Sequence, residues 1–134
     1  MNKVYKVVFI FTFGATVYPL LEIIGRGHTH WSMCIAGGLC FLSICIINRR
    51  FTKRCTFVKC LGGALAITMI EFITGFIVNM LCRWNVWDYS DLPLNILGQV
   101  CIPFSLIWLV LCFPGIKIGC LIDRFFDERV KQKS

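Results

Sequence analysis

Glu71 is the residue whose chemistry most needs a reason. It stands within "ITMIEFITGFIVNM" (67–80), a run that is otherwise almost wholly apolar. A carboxyl group in such a place has three uses. It can bond helices together, line a ligand or ion pathway, or move a proton in catalysis. At 3.6 residues per turn, Thr68, Glu71, Gly75 and Asn79 share one helix face. Lipid offers that stripe no hydrogen bonds, so it must face other helices or a cavity. An ionisable side chain within a span costs about 2.5–3.5 kcal/mol on insertion scales, which makes Glu71 a functional candidate by default.

Other polar residues recur at matching depths. Glu22 and Arg26 are four residues apart, within side-chain reach on a helix, at the end of the first apolar run. Asn95 and Gln99 have the same spacing at the start of the last one. Glu22, Arg26, Glu71, Asn79, Asn95 and Gln99 are therefore expected to form one polar layer inside the bundle, opening outward as a ligand or ion pathway. Interhelical glue is the plainer use of the same residues.

"CRWNVWDYSDLP" (82–93) carries Trp84, Trp87, Asp88, Tyr89 and Asp91. Its aromatics fit the belt at a membrane–water interface, with Trp31 at the same level. The alternative is a lid over the polar layer, with Asp88 and Asp91 at its mouth. "GRGHTHW" (25–31) holds His28 and His30, two metal ligands where a closed site needs more. Gly25 and Gly27 are expected to make the turn there. No nucleophile or metal set stands beside an acid or base, and the chain has no G-x-x-x-x-G-K-[ST], G-x-S-x-G or H-E-x-x-H. Neither enzymatic activity nor a cofactor or metal is expected.

The elements that must position these residues follow from composition. Of 134 residues, 57% are hydrophobic and 16% charged, against about 25% charged in soluble domains. Mean hydropathy is +0.76. The expectation is a single all-α, polytopic membrane domain: a bundle of four transmembrane helices plus a short amphipathic C-terminal helix. The spans are read at about 4–24, 31–47, 57–81 and 94–113, each near the roughly 20 residues a crossing needs. Lys3 and Lys6 resemble the charged end of a signal peptide, but no A-x-A-like site follows, so an uncleaved span is expected. Gly37 and Gly38 allow a close helix approach in the second span. Pro114 is expected to interrupt the fourth. The tail 117–134 spaces Ile118, Leu121, Ile122, Phe125 and Phe126 on one face. It reads as a surface helix or an extension of the fourth span.

Charge sets the expected orientation. "NRRFTKRCTFVK" (48–59) is the strongest positive-inside signal, and it places both termini and the tail in the cytoplasm of a cell-membrane protein. The net charge of +7 is thereby assigned to loops and tail rather than to nucleic-acid binding. The nine cysteines include no C-x-x-C and lie mostly in apolar segments, where they act as small apolar side chains.

Three stretches carry a family resemblance. "YPLLEIIGRGHTHWSM", "EFITGFIVN" and "WNVWDYSDLPLNILGQVC", followed by "FSLIWLVL", resemble the bacterial family called putative ABC-transporter type IV, across about residues 14–114. The resemblance implies a helical, permease-like membrane protein. Its signature positions would be Glu22, Arg26, Glu71, Gly75, Asn79, Trp87, Asp88, Tyr89, Asn95 and Gln99. It implies no reaction. The reading is a small permease-like component in the lipid bilayer, working as a homo-oligomer or with other membrane or ATPase subunits. The alternative is a non-transport scaffold or a holin-like pore former.

Overall fold

A computed structural model describes residues 2–133. Helix α1 spans Asn2–Arg26, α2 Trp31–Arg50 and α3 Thr56–Gly75, the last continuing as one π-helical turn over Phe76–Leu81. A small hairpin follows, with β1 at Asn95–Ile96 and β2 at Val100–Cys101, and α4 runs from Ile102 to Lys133. Four helices are long and apolar enough to cross a membrane. They are apolar nearly all round. Ile24, Leu65, Met69 and Val110 are each more than 60% exposed on the outer faces, the pattern expected where lipid is the solvent.

The helices run up and down in chain order, α1 packing on α2, α2 on α3 and α3 on α4; α2 also meets α4, and α1 touches α4 less extensively. The α1–α2 crossing is the tightest. A Cβ on Gly14 would lie 2.5 Å from the carbonyl oxygen of Gly37, and one on Gly37 would strike the Tyr18 side chain. The expectation of close packing at Gly37 thus holds, with Gly14 as its partner. Dispersion between closely approaching backbones is a main source of helix association in lipid. Cys112, fully buried, fills space against Gly63 in the same small-residue manner.

Two expectations fail in the fourth span. The helix begins at Ile102, not Leu94, so Asn95 and Gln99 are not a helical turn apart. Instead Asn95 pairs with Cys101 and Ile96 with Val100, and Leu94, Leu97 and Gly98 have φ of 54°, 52° and 69°. Those left-handed residues cannot belong to a right-handed helix. Pro103 marks the true start, because in the first helical turn its missing N–H has no carbonyl to lose. Pro114, by contrast, does not interrupt α4. A proline is tolerated within a span because neighbouring groups take over the freed carbonyl. The tail is therefore the extension of the fourth span, not a separate helix. At about 1.5 Å per residue the 32-residue α4 is about 48 Å long, beyond a hydrocarbon core of roughly 30 Å. The predicted apolar face of the tail is split. Ile122 is buried and Phe126 packs on Phe9 at 5.7 Å, whereas Leu121 and Phe125 stay exposed.

The start of α1 and the end of α4 share one end of the bundle with the α2–α3 turn. There Asp123 of α4 accepts from Lys6 of α1 at 2.8 Å, and from Arg49 of α2 through both oxygens at 2.6 and 3.1 Å. The other end is capped by residues 82–101.

Candidate functional site

Glu71 faces inward from α3 and is 2% exposed. Its two oxygens have separate partners. The Tyr18 hydroxyl of α1 donates to Oε1 at 2.7 Å, and the Trp108 indole N–H of α4 donates to Oε2 at 3.0 Å. The two rings stack, with centroids 5.1 Å apart and planes 18° from parallel. One carboxyl group thereby joins three helices. No Lys or Arg lies within 4.0 Å of it among the described residues. The partners are thus not the Asn or Arg that polar-residue matching suggests. Their signal was present in the sequence: Tyr and Trp collect at membrane interfaces, but Tyr18 and Trp108 lie inside their spans, where an O–H or N–H needs an acceptor.

One turn on, Gly75 leaves room for the cap. A Cβ there would lie 2.5 Å from Gln99 Oε1 and 2.8 Å from the Trp87 ring. Next along α3, in the π-helical turn, Asn79 donates to Gln99 Oε1 at 2.8 Å, and its own Oδ1 accepts from the Val86 N–H at 2.7 Å. Trp87 donates its indole N–H to the Gln99 carbonyl at 2.9 Å. A π turn re-aims side chains that a regular helix would point elsewhere, and such turns are frequent at functional positions.

The third group lies at the end of α1. Glu22 accepts from the Thr29 hydroxyl at 2.8 Å, and its other oxygen is 3.9 Å from Arg26. The Arg26 guanidinium rests over the rings of Tyr89 and Phe104, 4.9 and 5.4 Å from their centroids. Those two rings are themselves stacked at 4.7 Å.

The six residues expected in one layer are thus divided. Asn79 and Gln99 bond each other; Glu22 and Arg26 form a loose pair; Glu71 bonds neither set. Asn95 holds the cap together. It donates to the Ser90 and Leu92 carbonyls and accepts from the Gly98 N–H. Of the loop residues, Trp87 and Tyr89 are buried, whereas Asp91 is exposed and bonds nothing among the described residues. Trp84 is half exposed and touches His30 and Trp31 at 5.4 and 5.7 Å, a cluster at the level where interfacial aromatics sit. His30 Nδ1 caps α2, accepting from the Ser32 N–H at 3.3 Å. Asp88 accepts from the Ser90 hydroxyl and, at 2.9 Å, from its backbone N–H. The hydroxyl bond first, and then the backbone one, hold the Asp88 carboxyl below the usual carboxylate range.

Two cavities flank these groups. A groove of about 230 Å³ between α1, α2 and α4 is lined by Phe13, Tyr18, Phe41, Trp108 and Pro114, and is apolar. A cavity of about 470 Å³ at the capped end is lined by Arg26, His28, Asn85, Asp88 and Tyr89 among others.

Comparison with protein-family models finds one that spans almost the whole chain: residues 8–132 match the model described as Putative ABC-transporter type IV. No curated protein and no solved structure matches the chain.

Proposed function

We propose that this chain, which belongs to the Putative ABC-transporter type IV family, is a small permease-like membrane component that works only in an assembly, as an oligomer or with an ATP-hydrolysing partner. One observation carries the reading. The polar groups inside the bundle are spent on one another: Glu71 on Tyr18 and Trp108, Asn79 on Gln99, Thr68 on Ser105 at 3.0 Å. These groups of a single copy are therefore not free to line a water-filled route, and a transported solute needs a route shared with further subunits. Catalysis is no part of the reading.

The orientation follows from charge. Arg50 at the end of α2 and Lys53 and Arg54 in the turn after it are exposed, on the same end as the start of α1 and the end of α4, and this end faces the cytoplasm. A partner ATPase would dock there. Mild-detergent purification of the tagged chain from its native membrane, with mass spectrometry of what accompanies it, tests the reading. A stoichiometric ATP-binding subunit or a defined homo-oligomer is expected. A lone monomer would overturn it.

The same spent polar groups favour a second reading, a membrane scaffold or holin-like pore former. Leakage of cells on overexpression supports the pore; tight membranes at high expression count against it.

A further inference from the structure

Arg26 is a guanidinium with little to do. It is held in place by the Tyr89 and Phe104 rings and by Gly27, whose N–H bonds the Ile23 carbonyl at 2.8 Å and ends α1. Yet its one charge partner, Glu22, is 3.9 Å away, outside hydrogen-bond range, and it donates no hydrogen bond among the described residues. Ring stacking covers the flat face of a guanidinium and leaves its edge, with the N–H fork, available. Arg26 lines the 470 Å³ cavity. Tyr89 lines it too, and its buried hydroxyl has no hydrogen-bond partner among the described residues. Native proteins rarely leave such a group unmatched.

Asp88 lines the same cavity, and the salt bridges formed among the described residues do not include it. Ser90 occupies one of its oxygens, Oδ1, leaving Oδ2 for another donor. A cation whose carboxylate partner stands 3.9 Å off and an anion outside any ion pair among the described residues therefore border one space. That combination suits a small zwitterion better than a simple anion, which Asp88 would repel. Asn85, which lines the cavity, directly follows Trp84, and Trp84 and the exposed Trp31 touch in an aromatic cluster of the kind that sits among headgroups.

We propose that this cavity binds a phosphoethanolamine group, its phosphate oxygens on the Arg26 fork and its ammonium on Asp88, supplied by a phospholipid headgroup or by a soluble phosphoethanolamine ester. Arg presents parallel N–H donors that match phosphate oxygens in pairs. The proposal does not depend on transport.

The test uses the whole chain in nanodiscs of equal parts dioleoyl phosphatidylethanolamine, phosphatidylcholine and phosphatidylglycerol. Lipids retained by the protein are read by native mass spectrometry, and phosphoethanolamine is titrated into detergent-solubilised protein by calorimetry. Wild type should retain phosphatidylethanolamine above both others. Arg26→Gln should weaken retention about tenfold, the value of one lost charge-assisted bond. Asp88→Asn should leave phosphatidylglycerol retention intact and cut only the preference for phosphatidylethanolamine, by about two- to fivefold. If Arg26→Gln does not fold, Arg26→Lys keeps the charge and loses the fork, and the wild-type preference stands as a test by itself. Heat on titration points to the soluble ester as the source; lipid preference without heat points to the headgroup. Retained lipids that mirror the nanodisc mixture, with no heat, overturn the proposal, as does a preference that the variants leave unchanged.

Discussion

Tyr18 of α1 and Trp108 of α4 face each other with ring centroids 5.1 Å apart, and each donates to a different oxygen of Glu71 on α3. α1 and α4 meet less than either meets its neighbour in the chain, and this junction ties both to α3. Glu71→Leu would leave a buried hydroxyl and a buried indole N–H without acceptors, at about 1–3 kcal/mol each. Glu71→Gln keeps one acceptor and sets an amide N–H against the other donor. Thermal unfolding in detergent should rank Glu71→Leu as the most destabilised, then Glu71→Gln, with Phe72→Leu mildest. Equal shifts for Glu71→Leu and Phe72→Leu would reduce the junction to packing.

Gly75→Ala tests the joint between α3 and the cap. The added methyl has no free space, since Gln99 Oε1 and the Trp87 ring would be 2.5 and 2.8 Å from it. Gln99 is also the acceptor of Asn79, so the cap must lift and that bond must stretch. Faster backbone hydrogen exchange confined to residues 82–101 is expected, with the protection of α1 and α2 unchanged. Unchanged protection in the cap would mean that the loop does not rest on Gly75.

Much of this arrangement was legible in the sequence, and the failures have physical causes. Apolar runs located α1, α2 and α3, because a helix in lipid is apolar all round and ends where charge begins. The same criterion misread 94–101. "LNILGQVC" is apolar enough to pass for the start of a span, yet its backbone turns through Leu94, Leu97 and Gly98 in left-handed conformations. Hydropathy does not register backbone handedness; Gly98 and Pro103 were the available marks. The polar residues were found, and the Glu22–Arg26 pair with them, but the partners of Glu71 were not. Helical spacing relates residues within one element, while Tyr18 and Trp108 reach Glu71 from two other helices, and only packing decides that.

Asp88 should make the cap sensitive to acid. Its carboxyl is held below 3.8, the ordinary Asp value, by bonds from Ser90. A group whose pKa is depressed on folding contributes stability in full above its unfolded value and loses it as pH falls through the folded one. The fluorescence of Trp84 and Trp87 should therefore be steady from neutral pH down to about 4 and change below it. Asp88→Asn should flatten that change. A transition of equal size in the variant would assign the acid response to another group.

Asp123 governs the opposite end of the molecule. It is the shared acceptor of Lys6 and Arg49, three side chains from α1, α2 and α4. Exposed single ion pairs contribute about 0–1 kcal/mol, but a two-oxygen Arg contact with a second cation exceeds an isolated pair. Asp123→Asn leaves Arg49 without its carboxylate and Lys6 with Asp127 alone, at 3.5 Å, so the repulsion between the two cations adds to the lost attraction. A destabilisation of about 1–2 kcal/mol is expected, declining as salt screens the repulsion. Because Phe126 packs on Phe9 one turn further on, the end of α4 should loosen with it. Limited proteolysis reads this directly: cleavage after Arg124 or Arg129 should quicken in Asp123→Asn, and adding Lys6→Leu should restore part of the protection by removing one of the two repelling charges. Cleavage rates that ignore both substitutions would show that apolar packing alone holds the tail.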